Sequence, residues 1–150
     1  MTQAIEAGIV EWRAETGVLL GACRRLVEYY GSDDELESFH EAVQTPLWLV
    51  EVLGEVASGG EMDIAKSPAC SRFSCTEEVA TMVTPLMQIL VEYRPDFVVD
   101  AFEDLDEKSR RRFMLPYGNF LAIVGRYLCG PMWVKYPHLA PPGWPMSVGE

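Results

Sequence analysis

The amino-acid sequence predicts an all-α protein: a single-domain helical bundle of about five to seven helices, ending in an extended Pro/Trp-rich tail. Three observations carry the prediction. Long stretches place apolar residues at alternating steps of four and three, the spacing of one helix face. Ser or Thr followed three residues later by Glu recurs where such stretches begin. No stretch of comparable length alternates apolar and polar residues as a half-buried strand does. With 150 residues, 49% hydrophobic and 23% charged, the chain is large enough for one sizeable core and too apolar for disorder. Residues 1–130 read as an acidic helical domain, and residues 131–150 as a tail packed on it or extending from it.

The first element spans residues 4–30. Ile5, Ile9, Trp12, Thr16, Leu19, Cys23, Leu26 and Tyr30 form its seam. Val10, Val18, Leu20 and Val27 widen the stripe, so the helix is expected to lie along the core. Gly17 and Gly21 each cost about 1 kcal/mol relative to Ala in a helix. Close approach of another element there would compensate. Gly31 then serves as a stop.

Ser32-Asp33-Asp34-Glu35 is a capping box that opens a second helix, with Leu36, Phe39 and Val43 facing inward. Thr45-Pro46 reads as a fresh N-cap with Pro at the first helical position. A third helix over residues 47–57 follows, stopped by Gly59-Gly60. Residues 58–73 lack a period and form a loop. Ser74-Cys75-Thr76-Glu77 repeats the capping-box pattern and opens a helix whose stripe is Val79, Met82, Val83, Leu86, Met87, Leu90 and Tyr93. Pro85 is expected to kink or restart it. After Arg94-Pro95, Phe97, Val98, Ala101, Phe102 and Leu105 give another inner face. Residues 106–115 are polar, and Pro116 opens a last helix that Gly130-Pro131 closes. The tail, with Pro131, Pro137, Pro141, Pro142, Pro145, Trp133, Tyr136 and Trp144, should be extended or turn-rich.

The distribution of charge bounds the function. The formal net charge is −11. Residues 1–70 carry 13 acidic and 4 basic side chains, residues 71–115 carry 9 and 6, and residues 116–150 carry 1 and 2. An acidic helical body is thus joined to a near-neutral tail. Such a surface repels nucleic acid as a polyanion and suits a basic protein partner. No apolar run approaches the ~18 residues of a membrane span. No basic stretch followed by an apolar core marks a signal peptide. Cys23 and Cys129 fall within apolar helical patterns, and Cys70 and Cys75 are spaced C-x4-C, unlike a zinc or redox motif. Reduced thiols in the cytoplasm are the expectation.

Two groups of carboxylates are candidate contact residues. Asp33, Asp34, Glu35, Glu37 and Glu41 crowd the second helix. Asp96, Asp100, Glu103 and Glu107 step by four, three and four, so one helix would carry them as a stripe. Like charges along a helix repel mildly, and a cationic partner relieves them. The same stripe, with Glu51, Glu55, Glu61 or Asp63, could instead hold a divalent cation for a metal-dependent hydrolase. Its spacing matches no such motif, so a solvated face is preferred. Glu37-Ser38-Phe39-His40 is half of a di-metal carboxylate site. His138, in Tyr136-Pro137-His138, supplies no second half. Lys108, Arg110, Arg111 and Arg112 follow acidic residues at helical spacing, and internal pairing is expected of them.

No P-loop, G-x-G-x-x-G or G-x-S-x-G occurs, and no motif calls for a cofactor. Met82, Met87, Met114 and Met132 read as core filler. A helical regulatory domain binding a small apolar ligand near Trp12 and Trp48 is a further alternative. The leading expectation is a small acidic binding module, of immunity, inhibitor or chaperone type. It engages a basic protein through an acidic helix face.

Overall fold

The computed structural model describes residues 2–144, and six α-helices build this part of the protein. They are α1 (Thr2–Tyr30), α2 (Asp33–Ala57), α3 (Glu77–Glu92), α4 (Asp96–Asp104), α5 (Glu107–Ile123) and α6 (Gly130–Lys135). A π-helical turn over Val124–Cys129 joins α5 to α6, and short 3-10 turns occupy Ile64–Lys66 and Pro137–Leu139. No strand occurs among the described residues. The all-α class is as the spacing predicts. α1 packs against α2, α3 and α4, while α2 also packs on α5.

The seam of α1 explains its place in the bundle. Ile5, Ile9, Trp12, Thr16 and Cys23 are buried as expected, but Leu20 and Val27 complete the buried line, while Leu19 and Leu26 are only partly buried and Tyr30 is exposed. Trp12 is enclosed edge-on by Phe97, Tyr117 and Phe120, with ring centroids 6.0, 5.6 and 5.1 Å away. It is a core residue held by aromatic packing. Val10 and Val18, expected to widen the buried stripe, are exposed. The close approach expected at Gly17 and Gly21 lies instead at Gly8. A Cβ added there would sit 2.8 Å from the Phe97 Cβ, whereas nothing comes within 4 Å of one at Gly17.

Pro46 does not start a helix; it lies inside α2, which runs unbroken for 25 residues. An internal proline removes the N–H that would bond the carbonyl four residues back, here Ala42. The Cys70 thiol donates to that carbonyl at 3.1 Å, and the Thr45 hydroxyl donates to the Pro68 carbonyl at 2.9 Å. The same logic recurs at Pro131, which has no N–H to give. Four residues before it, the Tyr127 carbonyl accepts the Phe73 N–H at 2.7 Å. The loop between α2 and α3 is therefore tied down at two carbonyls that lie four residues before helical prolines. Pro85 and Pro116 likewise lie within α3 and α5. α5 begins at the Asp106 cap, whose carboxylate accepts the Ser109 N–H at 2.7 Å.

The segment expected to be extended or turn-rich begins with a helix over Gly130–Lys135 and continues into a 3-10 turn at Pro137–Leu139. Pro131 stands at the first turn of α6, a position that does not need its N–H. Trp133 is fully buried, donates Nε1–H to the Thr84 hydroxyl at 3.2 Å, and meets Trp144 edge-on at 4.6 Å. Pro145, the last member of the tail motif, lies outside the described residues. Met87 and Met132 are buried core residues, and Met82 and Met114 are partly buried. No described helix is long and apolar enough to cross a membrane.

Candidate protein-binding surface

Asp33, Asp34, Glu37 and Glu41 are exposed on the first half of α2. Because α2 continues through Pro46, their row continues too. Asp33, Glu37, Glu41, Gln44, Trp48, Glu51 and Glu55 step by four or three along one helix, which rises ~37 Å over 25 residues. All but the partly buried Trp48 are exposed. Midway along the ridge, His40, Val43, Gln44, Leu47, Trp48 and Glu51 line an open cleft of about 400 Å3. An apolar seat thus lies between carboxylates toward both ends of the helix. Reading Thr45-Pro46 as a helix start hid it, since that splits the row in two. The unbroken three-to-four spacing from 33 to 55 is the signal that reveals it.

Glu35 belongs to the same cluster but has another task. One of its oxygens accepts from the Ser32 N–H at 3.1 Å and the Ser32 hydroxyl at 3.3 Å. The other accepts from the Thr76 N–H at 2.9 Å and the Thr76 hydroxyl at 3.2 Å. Ser32 caps α2 and Thr76 caps α3, so one carboxylate completes the N-termini of both helices. The cap of α3 is therefore Thr76, two residues after the expected Ser74, and its reciprocal Glu comes from α2. Partial burial works to raise the Glu35 pKa, but the hydrogen bonds from Thr76 and Ser32 outweigh it and hold the carboxyl below its ordinary value. Glu35 is committed to the fold, unlike its exposed neighbours.

The second candidate group is divided. α4 ends at Asp104 and its C-cap, Leu105, is extended. Asp96, Asp100 and Glu103 lie on α4, and Glu107 begins α5. No single stripe joins them. Glu107 pairs with Arg111 at 3.7 Å, with both side chains open to solvent, a pairing of little energetic weight. Two other members of the basic cluster turn to the backbone. Arg112 donates to the Gly60 carbonyl at 2.7 Å, and Arg110 to the Leu105 carbonyl at 3.2 Å.

The chemistry available elsewhere is limited. Near the double cap, Asp34, Glu35, Cys75, Lys135 and Tyr136 line an open cleft of about 470 Å3. Burial, reinforced by the Glu35 charge, pushes the Cys75 thiol up to about 12, and burial pushes Cys23 and Cys129 to about 12 as well. Burial thus favours the protonated thiol over the thiolate at neutral pH. All four cysteines are free. His138 pairs with Glu77 at 3.2 Å, and His40 lies on the α2 ridge. Among the described residues, no three of the His, Cys, Asp and Glu side chains are grouped to hold a metal ion. Glu37 with His40 remains a pair without further ligands. No protein-family model matches the chain, and neither do curated proteins or solved structures.

Proposed function

We propose that this protein is a small acidic binding module, of immunity, inhibitor or chaperone type. It engages a basic protein partner through the outer face of α2 and acts in the cytoplasm, where its thiols stay reduced. The observation that carries this reading is the continuity of α2 through Pro46. One ridge presents Asp33, Glu37 and Glu41, then Leu47 and Trp48, then Glu51 and Glu55. Among the described residues the ion pairs are Arg24–Glu28, Glu107–Arg111 and Glu77–His138, so no carboxylate of α2 takes part in one. The ridge has acidic flanks for steering and an aromatic anchor at its centre.

These parts do different work. The carboxylates set the rate of encounter with a cationic surface and reject acidic ones. The seat supplies the contact that persists, since buried tryptophan at an interface is commonly worth 2 kcal/mol or more on truncation. The test is site-specific photo-crosslinking in the native cell from an unnatural residue replacing Gln44. It should capture one main protein, whose crosslinked segment is rich in Lys and Arg. Crosslinking to neutral or acidic segments, or none above that from a control position such as Gly118, overturns the reading.

A further inference from the structure

We propose that the groove between α1 and α3 is a second docking surface, which takes a cationic amphipathic helix from a partner protein. It does not depend on the α2 ridge. Ala14, Glu15, Val18 and Leu19 of α1 line it on one side, and Ile89 and Tyr93 on the other, around an open volume of about 450 Å3. Val18 is 67% exposed, Ile89 48% and Tyr93 41%. Val10, four residues before Ala14 and 63% exposed, extends the α1 wall toward the N-terminus. Single exposed apolar residues are ordinary, but several lining one groove mark an interaction site.

The charge around the groove selects the occupant. Glu11, Glu15 and Asp96 all lie close enough to the Tyr93 hydroxyl to act on it electrostatically, and after desolvation these carboxylates are what raise its pKa. An apolar floor with a carboxylate rim fits a segment that is apolar on one face and carries Lys or Arg beside it. A second copy of this chain fits badly. Each copy carries −11, and a self-complementary contact would crowd the two rims of Glu11, Glu15 and Asp96. A helix is the shape that suits a trough between two helices. From Val10 to Val18 the wall is ~12 Å long, the rise of about two turns.

The test uses a defined probe: a fluorescent 16-residue Leu/Lys peptide with an amphipathic helical pattern, and a matched Leu/Glu peptide. Binding is read by anisotropy, and the location by methyl NMR shifts at Val18 and Ile89. Val18→Ser with Ile89→Ser should weaken the Leu/Lys peptide at least ~10-fold, equivalent to about 1.4 kcal/mol. These positions are exposed, and circular dichroism checks that the variant is folded. Val18→Lys, which places a cation in the groove, should weaken it comparably. Reversing Asp33, Asp34, Glu37 and Glu41 to Lys should change it less than the groove variants do, which separates this site from the α2 ridge. Four results overturn the proposal: no binding at millimolar peptide, equal binding of the Leu/Glu peptide, binding indifferent to the groove variants, or a dimer in sedimentation that Val18→Ser dissociates. None of them bears on partner capture from Gln44.

Discussion

Replacing Gly8 with Ala, beside Gly17→Ala as its partner experiment, tests how α1 meets α4. Both glycines lie within α1, so each replacement gains roughly the same 0.5–1 kcal/mol of helix propensity. They differ in what the new methyl group meets. At Gly17 nothing lies within 4 Å, and the gain is kept. At Gly8 the methyl would stand 2.8 Å from the Phe97 Cβ and 3.4 Å from its Cα and N. Those atoms are the root of a side chain and its backbone. No rotamer change removes them, and α4 itself must shift. Overpacking of this kind costs about 1–3 kcal/mol. Propensity cancels between the variants, so Gly8→Ala should be less stable than Gly17→Ala by that amount. For a chain of this length, 1 kcal/mol is about 2–4 °C in Tm. Gly17→Ala should therefore melt ~1–4 °C above the parent, and Gly8→Ala ~2–12 °C below Gly17→Ala. Thermal and urea unfolding followed by far-UV circular dichroism measure both. Equal stabilisation by the two substitutions would refute the close approach at Gly8.

The cap shared by α2 and α3 gives a pH signature. The Glu35 carboxyl is held below its ordinary value of 4.5 in the folded protein, so its contribution is complete above 4.5 and disappears as the pH falls through the lowered value. Glu35→Ala should cost about 1–2 kcal/mol at pH 7, about 1 per cap, and distinctly less at pH 3. A gap that stays constant with pH contradicts this. At Pro46, Pro46→Ala restores a donor for the Ala42 carbonyl, so Cys70→Ala should cost about 1 kcal/mol in the parent and less in the Pro46→Ala background. Strict additivity in that double-mutant cycle would show that the thiol does not replace the missing N–H. In native protein at pH 8, iodoacetamide should label Cys70 alone within minutes, since burial keeps Cys23, Cys75 and Cys129 near 12, and denaturant should expose four thiols. Labelling of two or more thiols in the folded state, counted by mass spectrometry, would contradict the burial.

Much of the helical framework was legible from spacing, because a seam such as Ile5, Ile9, Trp12 and Cys23 has one way to be buried together. The Ser32–Glu35 box was legible for the same local reason. What spacing could not resolve was set by tertiary contacts. Pro46 and Pro131 look like helix starts or stops until Cys70 and Phe73 arrive from a distant loop to bond the carbonyls four residues before them. The second capping partner of Glu35 is 41 residues away, at Thr76. Val10 and Val18 fit a wide buried stripe on a helical wheel, yet no element covers them among the described residues. The carboxylates followed a similar course. Asp33, Asp34, Glu37 and Glu41 are exposed as their pattern suggests, while the 96–107 ladder breaks at Leu105, a residue with no Pro or Gly to announce it. The seat at Leu47 and Trp48 became visible only when the two expected helices proved to be one.

The central claim is that carboxylates of the α2 ridge steer a basic partner onto it. The most direct measurement is stopped-flow association with the protein crosslinked from position 44, at increasing salt, for the parent and for Asp34→Lys/Glu37→Lys/Glu41→Lys. Exposed charges are screened over ~8 Å at physiological ionic strength, so steering acts on encounter and fades with salt. The association rate should fall about 10-fold or more from ~20 to ~500 mM salt, with the dissociation rate little changed, and the triple reversal should slow association at low salt while its unfolding curve stays close to that of the parent. An association rate indifferent both to salt and to the reversals would contradict the claim.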